Sequence, residues 1–374
     1  MHRIMWFVLA FVCVCVCSSP ASDRSVGLTE LWRLDDTSDE LVGQITSVFR
    51  DSDSNICLFD SQLQRLLVYS QTGELIRIVG QEGEGPGEFR KAYWACTLPN
   101  EYAVFQPMPG AVVTFSQEGV PVNKYALQVS DLVNNRTSLL CYEGCSVGQS
   151  LAILFKCYKS DKGEFKQYAE IGLFNPGGRQ TATLFQQLQQ MPRNRQEMAF
   201  DEQQLRTIPF ISDGQSVFLA PEFSEYRIEV YDSTGQGTQT ITRPTEPHDR
   251  SEAEKQHYRQ LYGGDQLEIS VSETHSPVEQ LAIGLENQLW VLSSRGAWSV
   301  PDSVLAQYDV FSSGEFVESV SLVNGKGDYR YDAFWVAGNV FVVVHDIKTA
   351  MKNVFQSGHE SSGSDASVIV YSLE

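Results

Sequence analysis

The sequence predicts an all-β chain closed into a six-bladed β-propeller of four-stranded antiparallel blades. Three observations predict it: an aromatic-turn-glycine unit that recurs along the chain, a continuous apolar run ahead of each copy, and a stretch before the first copy with the alternation of a closing strand.

The recurring unit is a strand ending in an aromatic, a small polar turn and a glycine. It reads Val68-Tyr69-Ser70-Gln71-Thr72-Gly73, Thr114-Phe115-Ser116-Gln117-Glu118-Gly119, Leu173-Phe174-Asn175-Pro176-Gly177-Gly178, Val230-Tyr231-Asp232-Ser233-Thr234-Gly235 and Val310-Phe311-Ser312-Ser313-Gly314. A sixth copy, Val370-Tyr371-Ser372, closes the sequence without its glycine. In each full copy an apolar strand enters a turn whose glycine supplies positive φ. The preceding apolar runs cover residues 56–59, 102–105, 151–155, 217–220, 289–292 and 340–344, each after a turn with a small or amide residue. Such runs suit strands buried on both faces. Both registers count six in the same order, and four antiparallel strands repeating every ~40–80 residues make a propeller blade. The sixth unit has three strands in its own segment. Thr29-Glu30-Leu31-Trp32-Arg33-Leu34 is therefore expected to supply its outer strand and latch the ring. The domain is expected over residues 28–374, with insertions at about 186–207 and 244–277 breaking the β rhythm and capping one end of the channel. The second contains a helical pattern over residues 251–258.

Ahead of the domain, His2 and Arg3 precede an apolar run from Ile4 that continues through Cys17, and Ser19-Pro20-Ala21 follows. This is the pattern of a signal peptide cleaved near Ala21, so residues 1–21 are expected to leave and the chain to be exported to the periplasm, cell surface or exterior. The run is shorter than the ~20 residues of a spanning helix, and no second long apolar segment follows. A lipid on Cys17 is the competing form of attachment, with Val16 a poor residue to precede it.

The formal net charge of −19 describes a surface that repels nucleic acid and anionic lipid. Beyond the leader lie Cys57, Cys96, Cys141, Cys145 and Cys157, an odd number that leaves no complete disulfide framework. Cys141 and Cys145, four apart on an extended strand, would stand about 13 Å apart at ~3.3 Å per residue. Cys141 and Cys157 could face each other across a hairpin turning at Gly148-Gln149. Buried free thiols are the main expectation.

One motif goes beyond the general pattern. Residues 76–89 read Ile-Arg-Ile-Val-Gly-Gln-Glu-Gly-Glu-Gly-Pro-Gly-Glu-Phe, and this run resembles the blade linker of exported bacterial six-bladed propellers with NHL-type blades. The resemblance rests on Gly80, Gly83, Gly85, Pro86, Gly87, Glu88 and Phe89, and extends through the blade count and the N-terminal latch. It implies the fold and says little of function. The glycines are expected to permit a tight crossing between blades, with Phe89 packed between sheets. A nucleotide loop would open a helix, whereas this run leads into another strand. Asp51-Ser52-Asp53-Ser54-Asn55 imitates the start of a calcium loop. Ile56 replaces the required glycine and Gln62 the glutamate, so turn-forming acids are the better reading.

No G-x-S-x-G elbow, H-E-x-x-H or zinc-spaced cysteine and histidine set is present. Aligning the repeats puts the residue leaving each second strand near the channel mouth: Asp60, Gln106, Lys156, Glu222, Arg295 and His345. They form a candidate ring for a polar ligand, against the plainer reading that polar residues simply begin where strands end. The leading functional expectation is a monomeric, non-catalytic binding propeller recognising a peptide, glycan or protein, with no cofactor and no metal site. The alternative is a metal-dependent lyase or lactonase-like hydrolase holding calcium or zinc in the channel, which would need several convergent histidines or carboxylates.

Overall fold

The computed structural model describes residues 22–38, 40–129, 132, 139–161, 164–189, 199–202, 207–262, 268–348 and 367–373. The expected leader, residues 1–21, and His359 lie outside them.

Alternating apolar side chains pair into successive four-stranded antiparallel blades. Blade 1 comprises Ile45–Arg50, Ile56–Asp60, Arg65–Tyr69 and Leu75–Val79, innermost to outermost. Blade 2 runs Trp94–Leu98, Glu101–Gln106, Ala111–Ser116 and Pro121–Ala126. Blade 3 has the longest second and third strands, Leu139–Val147, Ser150–Asp161, Glu164–Phe174 and Gln180–Gln189. Residues 186–189, expected to open an insertion, continue its outer strand. Blade 4 is Phe210–Ser212, Ser216–Leu219, Arg227–Asp232 and Gly237–Thr242. Blade 5 is Val278–Ile283, Leu289–Ser293, Val304–Ser312 and Glu315–Val323.

Blade 6 takes Ala333–Ala337, Val340–Val344 and Val368–Ser372 from the end of the chain and Thr29–Leu34 from its beginning. The antiparallel register runs from Thr29 opposite Ser372 to Leu34 opposite Val368. A second N-terminal strand, Ser22–Gly27, pairs in parallel along the outer strand of blade 5. The first residues of the domain thus bind two adjacent blades.

The core is the set of interfaces between blades. A second strand buried on both faces sends alternate residues to opposite neighbours. In blade 1, Ile56 and Leu58 pack toward blade 6 with Val342 and Val370, while Cys57 and Phe59 pack toward blade 2 with Tyr102 and Phe115. The same division gives one apolar cluster at each of the six interfaces.

The turn glycines act at these interfaces. Gly73, Gly119, Gly178, Gly235 and Gly314 all have positive φ. Each faces the outer strand of the preceding blade: Gly119 faces Val79, Gly178 faces Tyr125 and Ala126, Gly235 faces Ala182, Gly314 faces Gln239, and Gly73 faces Trp32 of the closing strand. The polar residue opening each turn has its own task. Asn175 Oδ1 accepts from the Gly177 and Arg179 N–H groups, and Asp232 Oδ1 from those of Thr234 and Gln236.

The GPGEF run forms a small crossing in which Gln81–Glu82 pairs in parallel with Glu88–Phe89. The Gly85 N–H donates to Glu88 Oε2 at 2.7 Å. Phe89 is fully buried, 5.9 Å from the Phe59 ring and 6.1 Å from that of Phe115. Asp51 holds the first turn of blade 1 by accepting from the Asp53 and Asn55 N–H groups and from Tyr102 Oη. All five described cysteines are free thiols. The hairpin register sets Cys157 opposite Leu139 and Cys141 opposite Phe155, so the two sulfurs do not face each other as the hairpin reading allowed.

Candidate functional site

The two insertions meet. Ala199–Asp201 pairs in parallel with Glu268–Ser270, and the next residue, Glu202, accepts from Arg250 at 2.6 Å and from the Ser272 N–H at 3.0 Å. Both side chains of that ion pair are buried. Helix α1, Glu252–Tyr262, falls where the sequence showed a helical pattern and starts from a capping box formed by Ser251 and Glu254. The Ser251 N–H donates to Glu254 Oε2 at 2.6 Å, and the Glu254 N–H donates to Ser251 Oγ at 3.2 Å. Lys255, buried on the inner side of α1, bonds Glu252 and Glu273.

Between this cap and blades 4, 5 and 6 lies a cavity of about 950 Å³. It opens on the face where second strands end and blades connect. Phe223, Trp298 and Lys348 come from the ends of second strands, and residues 328–331 from the link between blades 5 and 6. Trp298 ends the short helix α2, Ser294–Trp298, and its Nε1 donates to Glu279 Oε1 at 3.2 Å.

His275 lines the cavity with only 3% of its surface exposed. Its ring lies between His248, 5.2 Å away, and Trp298, 4.7 Å away, nearly parallel to both. Arg250 Nε donates to His275 Nδ1 at 3.1 Å. Burial, with the His275 ring second, holds the His248 imidazole below its ordinary pKa. Three cations are seated on tyrosine rings: Arg250 on Tyr258, Arg330 on Tyr331 and Lys348 on Tyr329. Arg330 also grips Asp328 with two nitrogens. Lys348 donates to the Tyr329 carbonyl, and burial lowers its ammonium to about 8.

The six candidate ring residues stand as follows. Asp60 is fully buried and accepts from the Gly43, Gln44, Gln62 and Leu63 N–H groups at 2.8–3.2 Å. Gln106 donates to the Arg90 carbonyl at 3.3 Å. Lys156 lies within its long strand, 5.5 Å from the Tyr142 ring, with its pKa lowered by burial. Glu222 and Arg295 are exposed. His345 Nδ1 lies 3.0 Å from Asp332 Oδ2, while the Asp346 N–H donates to Asp332 Oδ1. Burial works against the Asp332 carboxylate, but these bonds and the Asp328 N–H hold its pKa below the ordinary value. The bonds described for Asp60, Gln106, Lys156 and His345 stay within each residue's own blade or its lead-in. The cavity takes their neighbours in sequence instead, Phe223, Trp298 and Lys348. The signal for this was the helical pattern of the second insertion, which marked where a cap would stand. No repeat register could pair that cap with the other insertion. Among the described residues, no group of three or more histidine, cysteine, aspartate or glutamate side chains converges as a metal site.

The chain is a six-bladed β-propeller. A family model described as a 6-bladed beta-propeller matches residues 30–120. No curated protein matches the chain. Among solved structures, the chain is similar to a candidate exported protein of Bacteroides fragilis NCTC 9343, at 12% identity and TM-score 0.49, covering 94% of this chain and 99% of that one. It is also similar to virginiamycin B lyase from Staphylococcus aureus, at 9% identity and TM-score 0.42, covering 92% and 99%. A luciferin-regenerating enzyme matches at 9% identity and TM-score 0.44, covering 91% and 95%. At this distance the likeness carries no argument about what this chain does.

Proposed function

We propose that this propeller is an exported, monomeric, non-catalytic binding protein whose ligand seats in the cavity beneath α1. The observation that carries the reading is the cavity itself: about 950 Å³, roofed by two insertions that pair with each other and floored by blades 4, 5 and 6. Such a volume is in the range of small-molecule sites, and its wall combines apolar, aromatic and charged groups that can fix an orientation. Export is supported by the charged start, apolar run and small-residue site of residues 1–21. Among the described residues, no helix is long and apolar enough to cross a membrane. The ring closes on its own N-terminal strand, which supports a single copy as the working unit.

Ala253, itself exposed, lines the cavity from α1, so Ala253→Trp fills the space without touching the interfaces between blades. A pool of short oligosaccharides and tripeptides is expected to raise the melting temperature of the wild type and leave Ala253→Trp unmoved. Equal shifts in both proteins would place the site elsewhere. No shift in either would remove the reading.

A further inference from the structure

The chemistry of the cavity narrows the ligand class, an inference that rests on the cavity being the binding site. Its fixed cations are already matched: Arg250 by Glu202, Arg330 by Asp328, and Lys348 by the Tyr329 ring and carbonyl. An anion would also meet the carboxylates of Glu254 and Glu279. The tyrosine faces that could cage a ligand cation hold the protein's own cations instead. A charged ligand of either sign is therefore poorly served.

Hydrogen-bonding capacity of both kinds is left over at one point. Because His275 Nδ1 accepts from Arg250, the neutral ring carries its proton on Nε2. That buried nitrogen has no hydrogen-bond partner among the described residues. The nearest carboxylate oxygen, Glu254 Oε1, is 3.6 Å away, beyond hydrogen-bond range. The other oxygen, Oε2, takes the capping bonds from Ser251. A buried N–H whose bond is unmade keeps its desolvation penalty, so a group that completes the bond is favoured. A hydroxyl accepts from an N–H and donates to a carboxylate through one atom, which neither a peptide carbonyl nor an amide N–H does. Glu254 is at the end of a flexible chain with 25% of its side chain exposed, so a shift of about an ångström in Oε1 admits an oxygen at normal bond lengths to both. Trp298, stacked on His275, supplies apolar surface beside it, and Phe223 and Leu261 line the same cavity.

We propose that the cap cavity binds an uncharged saccharide, one hydroxyl of which accepts from His275 Nε2 and donates to Glu254 Oε1. The test is titration calorimetry of the full mature chain with maltotriose, cellotriose, chitotriose and mannotriose, and with trialanine, trilysine and triglutamate for comparison. Glu254→Gln keeps the capping box, since glutamine serves that position equally well, but replaces the hydroxyl's acceptor with an amide. At least one trisaccharide is expected to bind the wild type, to lose tenfold or more in affinity with Glu254→Gln at an unchanged melting temperature, and to fail with Ala253→Trp. A trisaccharide that binds wild type and Glu254→Gln equally overturns the proposed contact. A peptide that binds the wild type and fails with Ala253→Trp, with every saccharide inert, overturns the saccharide assignment while the cavity reading stands. No binding by any probe overturns both.

Discussion

At the scale of single residues, placement in the ring changes what a familiar side chain does. Glu143 lies on the innermost strand of blade 3 at a bulge in the pairing with the second strand. Burial raises its carboxyl to about 8 from an ordinary 4.5. An acid whose folded pKa is raised contributes its stability below the unfolded value and loses it as pH rises toward the folded one. The wild type is therefore expected to lose about 1–3 kcal/mol of unfolding free energy between pH 4.5 and pH 8 from this group. Glu143→Gln should flatten that part of the profile, as read by urea unfolding at several pH values. A slope unchanged by the substitution would remove the assignment. Turn glycines can be tested by a contrast. Gly178 and Gly214 both have positive φ, but a Cβ on Gly178 would stand 2.5 Å from the Ala126 carbonyl, whereas Gly214 has nothing within 4 Å. Gly214→Ala should cost about 1 kcal/mol, the strain alone. Gly178→Ala should cost about 1–3 kcal/mol more because a neighbouring blade must give way. Equal costs would show that the turns do not register one blade on the next.

At the scale of elements, the cap is held by different forces from the blades. Each blade buries apolar side chains on two faces, while the cap relies on one short parallel pair and the buried Glu202–Arg250 bridge. Removing one partner of a buried ion pair leaves the other charge without compensation, at about 3–5 kcal/mol. Glu202→Gln should therefore loosen the cap before it affects the ring. Limited proteolysis is expected to cut within residues 244–277 faster than in the wild type, with the main thermal transition nearly unchanged. A lowered main transition with no faster cleavage would show that cap and ring unfold together. The linker between blades 1 and 2 belongs to the other regime. Phe89→Ala should cost about 3–5 kcal/mol of global stability, because the ring fills the space between Phe59 and Phe115.

At the scale of the whole molecule, closure is the cooperative element. The strand Thr29–Leu34 completes blade 6, and Trp32 stands 5.1 Å from the Tyr69 ring of blade 1. It therefore joins the last blade to the first. A chain starting at Asp35 should melt more than about 10 °C below the wild type, because it exposes both a sheet edge and the blade 6–blade 1 interface. A chain starting at Leu28 loses only the parallel strand on blade 5 and should fall by much less. Equal losses would mean that the parallel strand, not the closing strand, holds the ring.

Periodicity sufficed for the blades because a propeller reuses one local solution. An apolar run must be buried on both faces, an aromatic must end the third strand, and a glycine must clear the neighbouring blade. Each demand is visible within a few residues. The closing strand was legible too, since its alternation had no partner nearby in sequence. The parallel strand Ser22–Gly27 was not, because its partner on blade 5 lies about 300 residues away and neither segment specifies the pairing. The cavity was hidden for the same reason. The pattern over residues 251–258 announced a helix, yet His275, Trp298 and Tyr329 carry no local pattern that brings them together. Sequence by itself determined the blades and their closure, because those follow from short-range alternation and turn chemistry. Only the tertiary structure decided the site, because its walls come from two paired insertions and three blades whose proximity is set by the ring and not by the chain.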